Sequence, residues 1–301
     1  MTGRISFILG MVLIGSFFVV NKPIVAEVPV FIASEIRLAL GALCLLGVVC
    51  FRRASIGRIQ RADWPPIVLQ TLLGVVLFSI FALNGLKYTS AMNAGIIMGI
   101  TPVAILFLAV LGKKDRLDRF SASAAVLASA GAIALNTTHA DQGGVSSQAW
   151  LGNLLVFLAM LGEAVFISAG RFTARPLHPL LLSTAMASVG ALMFAPLAAS
   201  QWSAWDASAV GPLTWAYLVY AGIGITVIGV FLMNFGANHL PMATTATFSA
   251  FMPASSCILA VWLLGEHVQL AHVIGFVLIV AGALLTVFRS QPRAAIPVQA
   301  A

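Results

Sequence analysis

Charged residues are scarce in this sequence. Sixteen lysines and arginines and nine aspartates and glutamates make up 8% of its 301 residues, whereas soluble domains carry roughly 25% charged residues. A soluble domain needs polar residues to cover its surface, so this composition excludes an ordinary cytoplasmic enzyme and a disordered chain. Cysteine is rare as well. Cys44, Cys50 and Cys257 all lie in apolar stretches, which excludes a disulfide-stapled secreted domain, and most of the chain must contact lipid.

Motifs that would support an enzyme or an ATP-driven pump are absent from the sequence. It has no G-x-x-x-x-G-K-[ST] phosphate-binding loop, no H-E-x-x-H zinc motif, no G-x-S-x-G and no C-x-x-C. The last apolar stretch has no lysine that could carry retinal, and Asp-rich metal motifs do not occur. We therefore expect no catalytic centre, no metal site and no cofactor.

What the sequence does have is a series of apolar stretches long enough to cross a bilayer. A transmembrane helix needs about 20 mostly apolar residues, and a spanning β-barrel would instead alternate apolar and polar residues, a pattern not seen here. The fold class predicted is an all-α polytopic membrane protein. The ten stretches are residues 5–22, 30–51, 65–86, 91–112, 120–137, 149–170, 179–199, 213–236, 243–264 and 270–288.

Basic residues predict how these helices are oriented, because cytoplasmic loops carry an excess of lysine and arginine. With the N-terminus in the cytoplasm, 13 of the 16 basic residues fall on the cytoplasmic side; Lys22 and Lys87 fall outside and Arg37 falls within a span. Both termini are therefore expected in the cytoplasm. The net charge of +7 is then explained by basic cytoplasmic loops that lie against anionic lipid, so no nucleic-acid partner is expected. The thirteen are Arg4, Arg52, Arg53, Arg58, Arg61, Lys113, Lys114, Arg116, Arg119, Arg171, Arg175, Arg289 and Arg293.

The second half of the sequence resembles the first when it is shifted by 151 residues. The shift relates predicted spans 3–5 to spans 8–10, and five spans per half, an odd number, would insert the halves in opposite directions. We therefore predict two inverted five-helix repeats around a central cavity, residues 1–140 and 149–290, with a cytoplasmic tail at 291–301. The matched pairs include Gly85 with Gly236, Pro102 with Pro253, 108–110 with 259–261, Asp115 with Glu266, and 130–132 with 281–283.

Four segments carry features of one known family. They are Leu13–Lys22, which has Ile14 where the family's first helix commonly has tryptophan; Arg37; Thr244–Leu264, which continues into Gly-Glu; and the glycine-marked Gly275–Ala283. In these segments the chain resembles the drug/metabolite transporter superfamily, in its ten-helix EamA-type branch. Within that branch it is most similar to bacterial exporters of amino acids, including aromatic ones.

The resemblance implies a secondary transporter of the bacterial inner membrane that exports amino acids or similar amphipathic metabolites by alternating access. It also implies a central cavity lined by helices 1, 3, 4, 6, 8 and 9, with helices 2 and 7 outside it and helices 5 and 10 behind. Alternatives are a carrier of sugars, nucleotide sugars or drugs, a channel, or an intramembrane enzyme, for which no catalytic pair is found. The expected partners are a small-molecule substrate and membrane lipid, in a monomer or a homodimer. Gly95-x-x-x-Gly99 favours close helix packing within one monomer, with a homodimer contact as the alternative.

Three charged residues lie inside predicted spans, where a charge is costly and is by default a functional hypothesis. Glu35 and Arg37 lie only about 9–11 Å below the outer end of their span, within reach of the interface, and are interpreted as structural residues. Glu163 lies about 21 Å along a crossing of about 30 Å. We predict that Glu163 binds a substrate ammonium group or a coupling proton; a protonated glutamate bonded to a neighbouring helix is the alternative.

Polar, aromatic and methionine side chains form a mixed stripe along several spans, a composition that suits amphipathic ligands. For each hydroxyl the alternative role is a hydrogen bond between helices. Pro102 and Pro253, which interrupt the backbone hydrogen bonds at matched positions, are predicted hinges. The substrate-binding residues predicted besides Glu163 are Phe78, Ser79, Ala82, Met98, Thr101, Met233, Thr245, Phe248, Ser249 and Met252.

Overall fold

The computed structural model describes residues 2–51, 58–88, 97–111, 119–136, 149–169, 177–264 and 270–289, and within them the protein is a helix bundle without β-strands. Seven of the described helices are uninterrupted: α1 Thr2–Glu27, α2 Val30–Phe51, α4 Thr101–Leu111, α5 Arg119–Asn136, α6 Ala149–Ala169, α7 Pro179–Trp202 and α10 Leu270–Arg289. Three others change geometry along their length. They are α3 (Trp64–Thr71, Leu72–Leu77, Phe78–Tyr88), α8 (Pro212–Tyr220, Ala221–Gly229, Val230–Asn238) and α9 (Met242–Ser249, Phe251–Leu264).

The predicted all-α membrane fold is confirmed. Within the described residues, six helices are long and apolar enough to cross a membrane; they correspond to α1, α2, α3, α6, α7 and α8. The other four predicted stretches coincide with α4, α5, α9 and α10, whose described apolar segments are shorter or interrupted. Large apolar side chains such as Leu43, Leu192 and Trp262 lie exposed on the outside of the bundle, where lipid would cover them.

Two contacts show which helix ends lie on the same side of the bundle. The backbone N–H of Phe31, at the start of α2, donates to Gln201 Oε1 near the end of α7 at 3.3 Å. The backbone N–H of Gly211, just before α8, donates to Glu27 Oε2 at the end of α1 at 2.8 Å. The α1–α2 and α7–α8 connections therefore share one side. The connection before α3 lies at the other end of α2, about 33 Å away at 1.5 Å per residue.

The interruptions of the helices occur at positions related by the 151-residue shift. Residues 72–77 of α3 and 221–229 of α8 are π-helical, and the shift maps 72–77 onto 223–228. The chain turns at 99–100 before α4 and at Ala250 within α9, again 151 residues apart. Pro102 and Pro253 lie in the first turn after each interruption, where a missing N–H is tolerated.

Helix packing follows the same shift. α1 packs on α8 as α6 packs on α3, and α5 packs on α10. Gly131 of α5 lies against Gly275 of α10, and Gly282 of α10 lies against Ala124 of α5. The shift of 151 residues relates Gly131 to Gly282 and Ala124 to Gly275, so it converts one contact into the other. These are the contacts that two structurally related halves would make.

Some residues of the orientation, repeat and dimer predictions lie outside the described residues, as does the predicted tail at 291–301. They are Arg52, Arg53, Lys113, Lys114, Asp115, Arg116, Arg171, Arg175, Glu266, Arg293 and Gly95.

Candidate functional site

A cavity of about 70 Å³ lies inside the bundle, bordered by α1, α2, α3, α6, α7, α8 and α9. A water molecule needs about 10–15 Å³ of such space, so the cavity has room for several waters or for part of a small ligand. Its wall is mainly apolar, and the charged side chains that line it are Arg37 and Glu163. An apolar wall with a few polar groups is typical of a small-molecule site.

Glu163 reaches the cavity from the interior of α6, and only 5% of its surface is exposed. Its neighbour Gly162 allows α6 to approach α3 closely, because a Cβ at that position would meet the backbone carbonyl oxygen of Leu73. The described partner of the carboxylate is the Thr101 hydroxyl, 3.1 Å from Oε2. A carboxylate offers about four acceptor sites, so Glu163 can accept further hydrogen bonds from a ligand.

Thr101 connects the start of α4 to this carboxylate. Its hydroxyl lies 2.7 Å from the backbone carbonyl oxygen of Met98 and 3.1 Å from Glu163 Oε2. A hydroxyl has one hydrogen to donate and two lone pairs. Thr101 can therefore donate its hydrogen either to Glu163 or to the backbone carbonyl of Met98. When it donates to Met98, it can still bond to Glu163 only if Glu163 is protonated and acts as the donor.

Arg37 also lies in the cavity, where 8% of its surface is exposed. Its Nη1 donates to Thr226 Oγ1 of α8 and its Nη2 donates to Ser79 Oγ of α3, both at 3.3 Å. Its Cζ lies 5.4 Å from the centre of the Phe17 ring, within the range of a cation–π contact. The interpretation of Arg37 as a residue that reaches the membrane interface is wrong, because its side chain points inward, between α3 and α8.

Three phenylalanines form an aromatic wall beside these charges. The ring centres of Phe17 and Phe18 lie 5.5 Å apart, those of Phe17 and Phe78 lie 5.7 Å apart, and those of Phe18 and Phe78 lie 6.4 Å apart. Separations of 4.5–7 Å are those of mutually stabilising aromatic pairs. The wall is therefore a preformed apolar surface against which a hydrophobic or aromatic ligand group can pack.

The structure brings together some of the predicted site residues. Glu163, Phe78, Ser79 and Met252 line the cavity. Thr101 hydrogen-bonds to Glu163, and Met98 accepts a hydrogen bond from Thr101 through its backbone.

Five other predicted site residues are buried but do not line this cavity: Ala82, Met233, Thr245, Phe248 and Ser249. Ala82 belongs to the last segment of α3, and Met233 packs against Gly10 of α1. The Phe248 ring contacts that of Phe251, and the Ser249 hydroxyl donates to the backbone carbonyl of Ala246 at 2.7 Å. Their part in substrate binding stays a prediction.

Helices 2 and 7 line the cavity and the described residues of helix 4 do not, contrary to the expectation that helix 4 lines it and that helices 2 and 7 lie outside it. α2 contributes Arg37, and α7 contributes Ser183 and Met186. Sequence reasoning missed these residues and Thr226. The only signal available was that Arg37 is a charge inside a span, which is by default functional. The expected packing of helix 5 against helix 10 is confirmed.

Two proteins similar to this chain are named as uncharacterized transporters. The chain is 28% identical over 297 residues to the uncharacterized transporter YetK of Bacillus subtilis (strain 168), covering 99% of this chain and 90% of YetK. It is 24% identical to an uncharacterized transporter of Archaeoglobus fulgidus, covering 92% of this chain and 94% of that protein. One crystal structure matches with a TM-score of 0.80 at 18% identity over 95% of this chain and 98% of the other, a likeness of fold alone.

The family assignment comes from a match that covers most of the chain. The model of the EamA-like transporter family matches two segments, residues 1–137 and 150–288. These segments include every helix that lines the cavity. The chain belongs to the EamA-like transporter family.

Proposed function

We propose that this membrane transporter exports amino acids, including aromatic ones, or similar amphipathic metabolites across the bacterial inner membrane. The observation that carries the proposal is the position of Glu163, a buried carboxylate beside an aromatic wall in one cavity. A carboxylate binds an ammonium group through charge-assisted hydrogen bonds, and the wall suits an apolar side chain. The outward direction of transport rests on the resemblance to amino acid exporters.

Alternating access is the mechanism that the paired irregularities support. We infer that residues 1–140 and 149–290 act as two inverted repeats and that the cavity lies between them. π-Helical segments and proline interruptions are places where helix geometry departs from the regular α-helix and is frequently tied to function. In this proposal the π-helical segments of α3 and α8 bend, and Pro102 and Pro253 act as hinges. The two repeats then exchange conformations, which opens the cavity to one side of the membrane at a time.

The test of this function is counterflow in proteoliposomes. Purified protein is reconstituted with unlabelled L-phenylalanine or L-leucine inside, and uptake of the labelled amino acid is followed with and without a pH gradient. We expect saturable counterflow of at least one of them, since an alternating-access carrier exchanges substrate across the membrane. Absence of counterflow with amino acids but activity with sugars or nucleotide sugars would contradict the substrate class, and ionic conductance without counterflow would contradict the carrier mechanism.

A further inference from the structure

We propose that Arg37 binds the carboxylate group of the substrate, so that the site recognises a zwitterion with Arg37 at one end and Glu163 at the other. This inference deepens the proposed function and rests on it. It assigns a ligand to a charged residue that the proposed function leaves unused.

The first argument is the environment of the Arg37 charge. Its guanidinium is buried in the cavity wall, and its described partners are the hydroxyls of Ser79 and Thr226 and the ring of Phe17. None of these groups carries a negative charge. A buried charge is costly unless it is paired, so an anionic ligand group would gain more at this position than a neutral one.

The second argument is the number of donors that remain. A guanidinium has five N–H donors in a planar fork that matches a carboxylate. Arg37 uses one from each terminal nitrogen, in hydrogen bonds of 3.3 Å, longer than the usual 2.9–3.0 Å for N–H···O. Donors are therefore left for a ligand, which can form charge-assisted hydrogen bonds with Arg37 while the bonds to Ser79 and Thr226 remain.

The third argument is how Arg37 is held in place. The Thr226 hydroxyl accepts from Arg37 and donates its own hydrogen to the backbone carbonyl of Ala221 at 3.1 Å. Thr226 is thus oriented to accept from the guanidinium without neutralising it. Thr226 and Ser79 are positioning residues in this arrangement, and the Phe17 ring fixes the side of the cavity on which the charge lies.

The fourth argument concerns the two charges together. Arg37 and Glu163 line the same cavity, and in the part of the chain that the structure describes they are not joined by an ion pair. Each keeps its capacity for a charged ligand. An α-amino acid carries an ammonium group and a carboxylate, so it offers each of the two residues a group of opposite charge, and it has a side chain that could pack against the aromatic wall.

The experiment compares three probes that share one ring: L-phenylalanine, phenethylamine, which lacks the carboxylate, and 3-phenylpropionate, which lacks the ammonium. Inhibition of counterflow and ligand-induced shifts in Tm are measured for wild type, Arg37→Gln and Arg37→Lys. Arg119→Gln, an exposed arginine at the start of α5, is the matched control. We expect wild type and the control to bind L-phenylalanine at least tenfold more tightly than phenethylamine. In Arg37→Gln the ratio of the two affinities should fall towards one.

The lysine variant separates charge from shape. It keeps a positive charge but loses the planar fork, so we expect it to weaken L-phenylalanine binding severalfold while phenethylamine binding is unchanged. If Arg37→Gln does not fold, as judged by size-exclusion chromatography, the lysine variant and the wild-type probe comparison decide the question.

Equal losses for L-phenylalanine and phenethylamine in both variants would overturn the assignment and show a structural role. A wild type that carries L-phenylalanine and phenethylamine equally well would overturn it as well, while leaving amino acid export intact. If wild type neither carries nor binds any of the three probes or L-leucine, both the proposed function and the role of Arg37 fail.

Discussion

The Thr101 hydroxyl lies 3.1 Å from Glu163 Oε2 and 2.7 Å from the backbone carbonyl oxygen of Met98. This hydroxyl connects the carboxylate in α6 to the interruption at 99–100, just before α4. Because it has one hydrogen, an ionised Glu163 draws that hydrogen away from Met98, and a protonated Glu163 leaves it there. A charge change in the cavity is thereby linked to the backbone hydrogen bonding of Met98, just before the turn that precedes α4.

Glu163→Gln is expected to reduce amino acid counterflow at least tenfold without unfolding the protein. Glutamine keeps the shape of glutamate but loses the charge that binds an ammonium group. A tenfold loss corresponds to about 1.4 kcal/mol. Wild-type activity should also fall as pH is lowered and protons occupy Glu163, whereas Arg37, the other charged residue lining the cavity, stays protonated. The variant should lose this pH dependence. Glu35→Gln, an intramembrane carboxylate that does not line the cavity, serves as control. Unchanged kinetics and an unchanged pH profile in Glu163→Gln would refute the role.

Thr101→Val is expected to alter KM severalfold and to shift the pH profile of counterflow, because it removes the hydroxyl while nearly preserving the volume. Thr101→Ser keeps the hydroxyl and should restore both properties. Counterflow measured across a pH series tests this. If valine and serine behave alike, packing rather than the hydrogen bond to Glu163 explains the effect.

Gly15→Ala is expected to destabilise the protein by about 1–3 kcal/mol, the usual cost of overpacking. A Cβ at this position would meet Ser255 Oγ and the backbone carbonyl oxygen of Met252, so α1 and α9 would have to separate. Gly47→Ala is the matched control, because no described atom lies within 4 Å of the place its Cβ would take. Thermal unfolding in detergent should show a lower Tm for the first variant only; equal Tm values would contradict the close α1–α9 contact.

The orientation can be tested with two alanines at opposite ends of the bundle. Ala62, before α3, and Ala209, before α8, are both exposed. In a background without the native cysteines, a membrane-impermeant maleimide should label Ala209→Cys in intact cells and Ala62→Cys only after permeabilisation. The reason is that the basic residues predict a cytoplasmic position for the connection before α3, which contains Ala62. The reverse pattern would show that both termini lie outside.

Amino acid sequence alone was sufficient to predict an all-α membrane fold. Scarce charge and long apolar stretches require helices in lipid, since unsatisfied backbone groups are too costly there. Proline by itself did not predict where a helix ends, because Pro102 and Pro253 lie in the first turn after an interruption, whereas Pro23 and Pro196 lie inside α1 and α7.

Which residues face the cavity was decided by the tertiary structure alone. A spacing of four residues predicts one helix face for Phe248 and Met252, but the chain turns at Ala250 between them, so Met252 lines the cavity and Phe248 does not. Arg37 shows the same limit. Its distance from the helix end suggested the interface, but α3 and α8 provide two hydroxyls on its inner side, and a long side chain goes where its hydrogen bonds can be made.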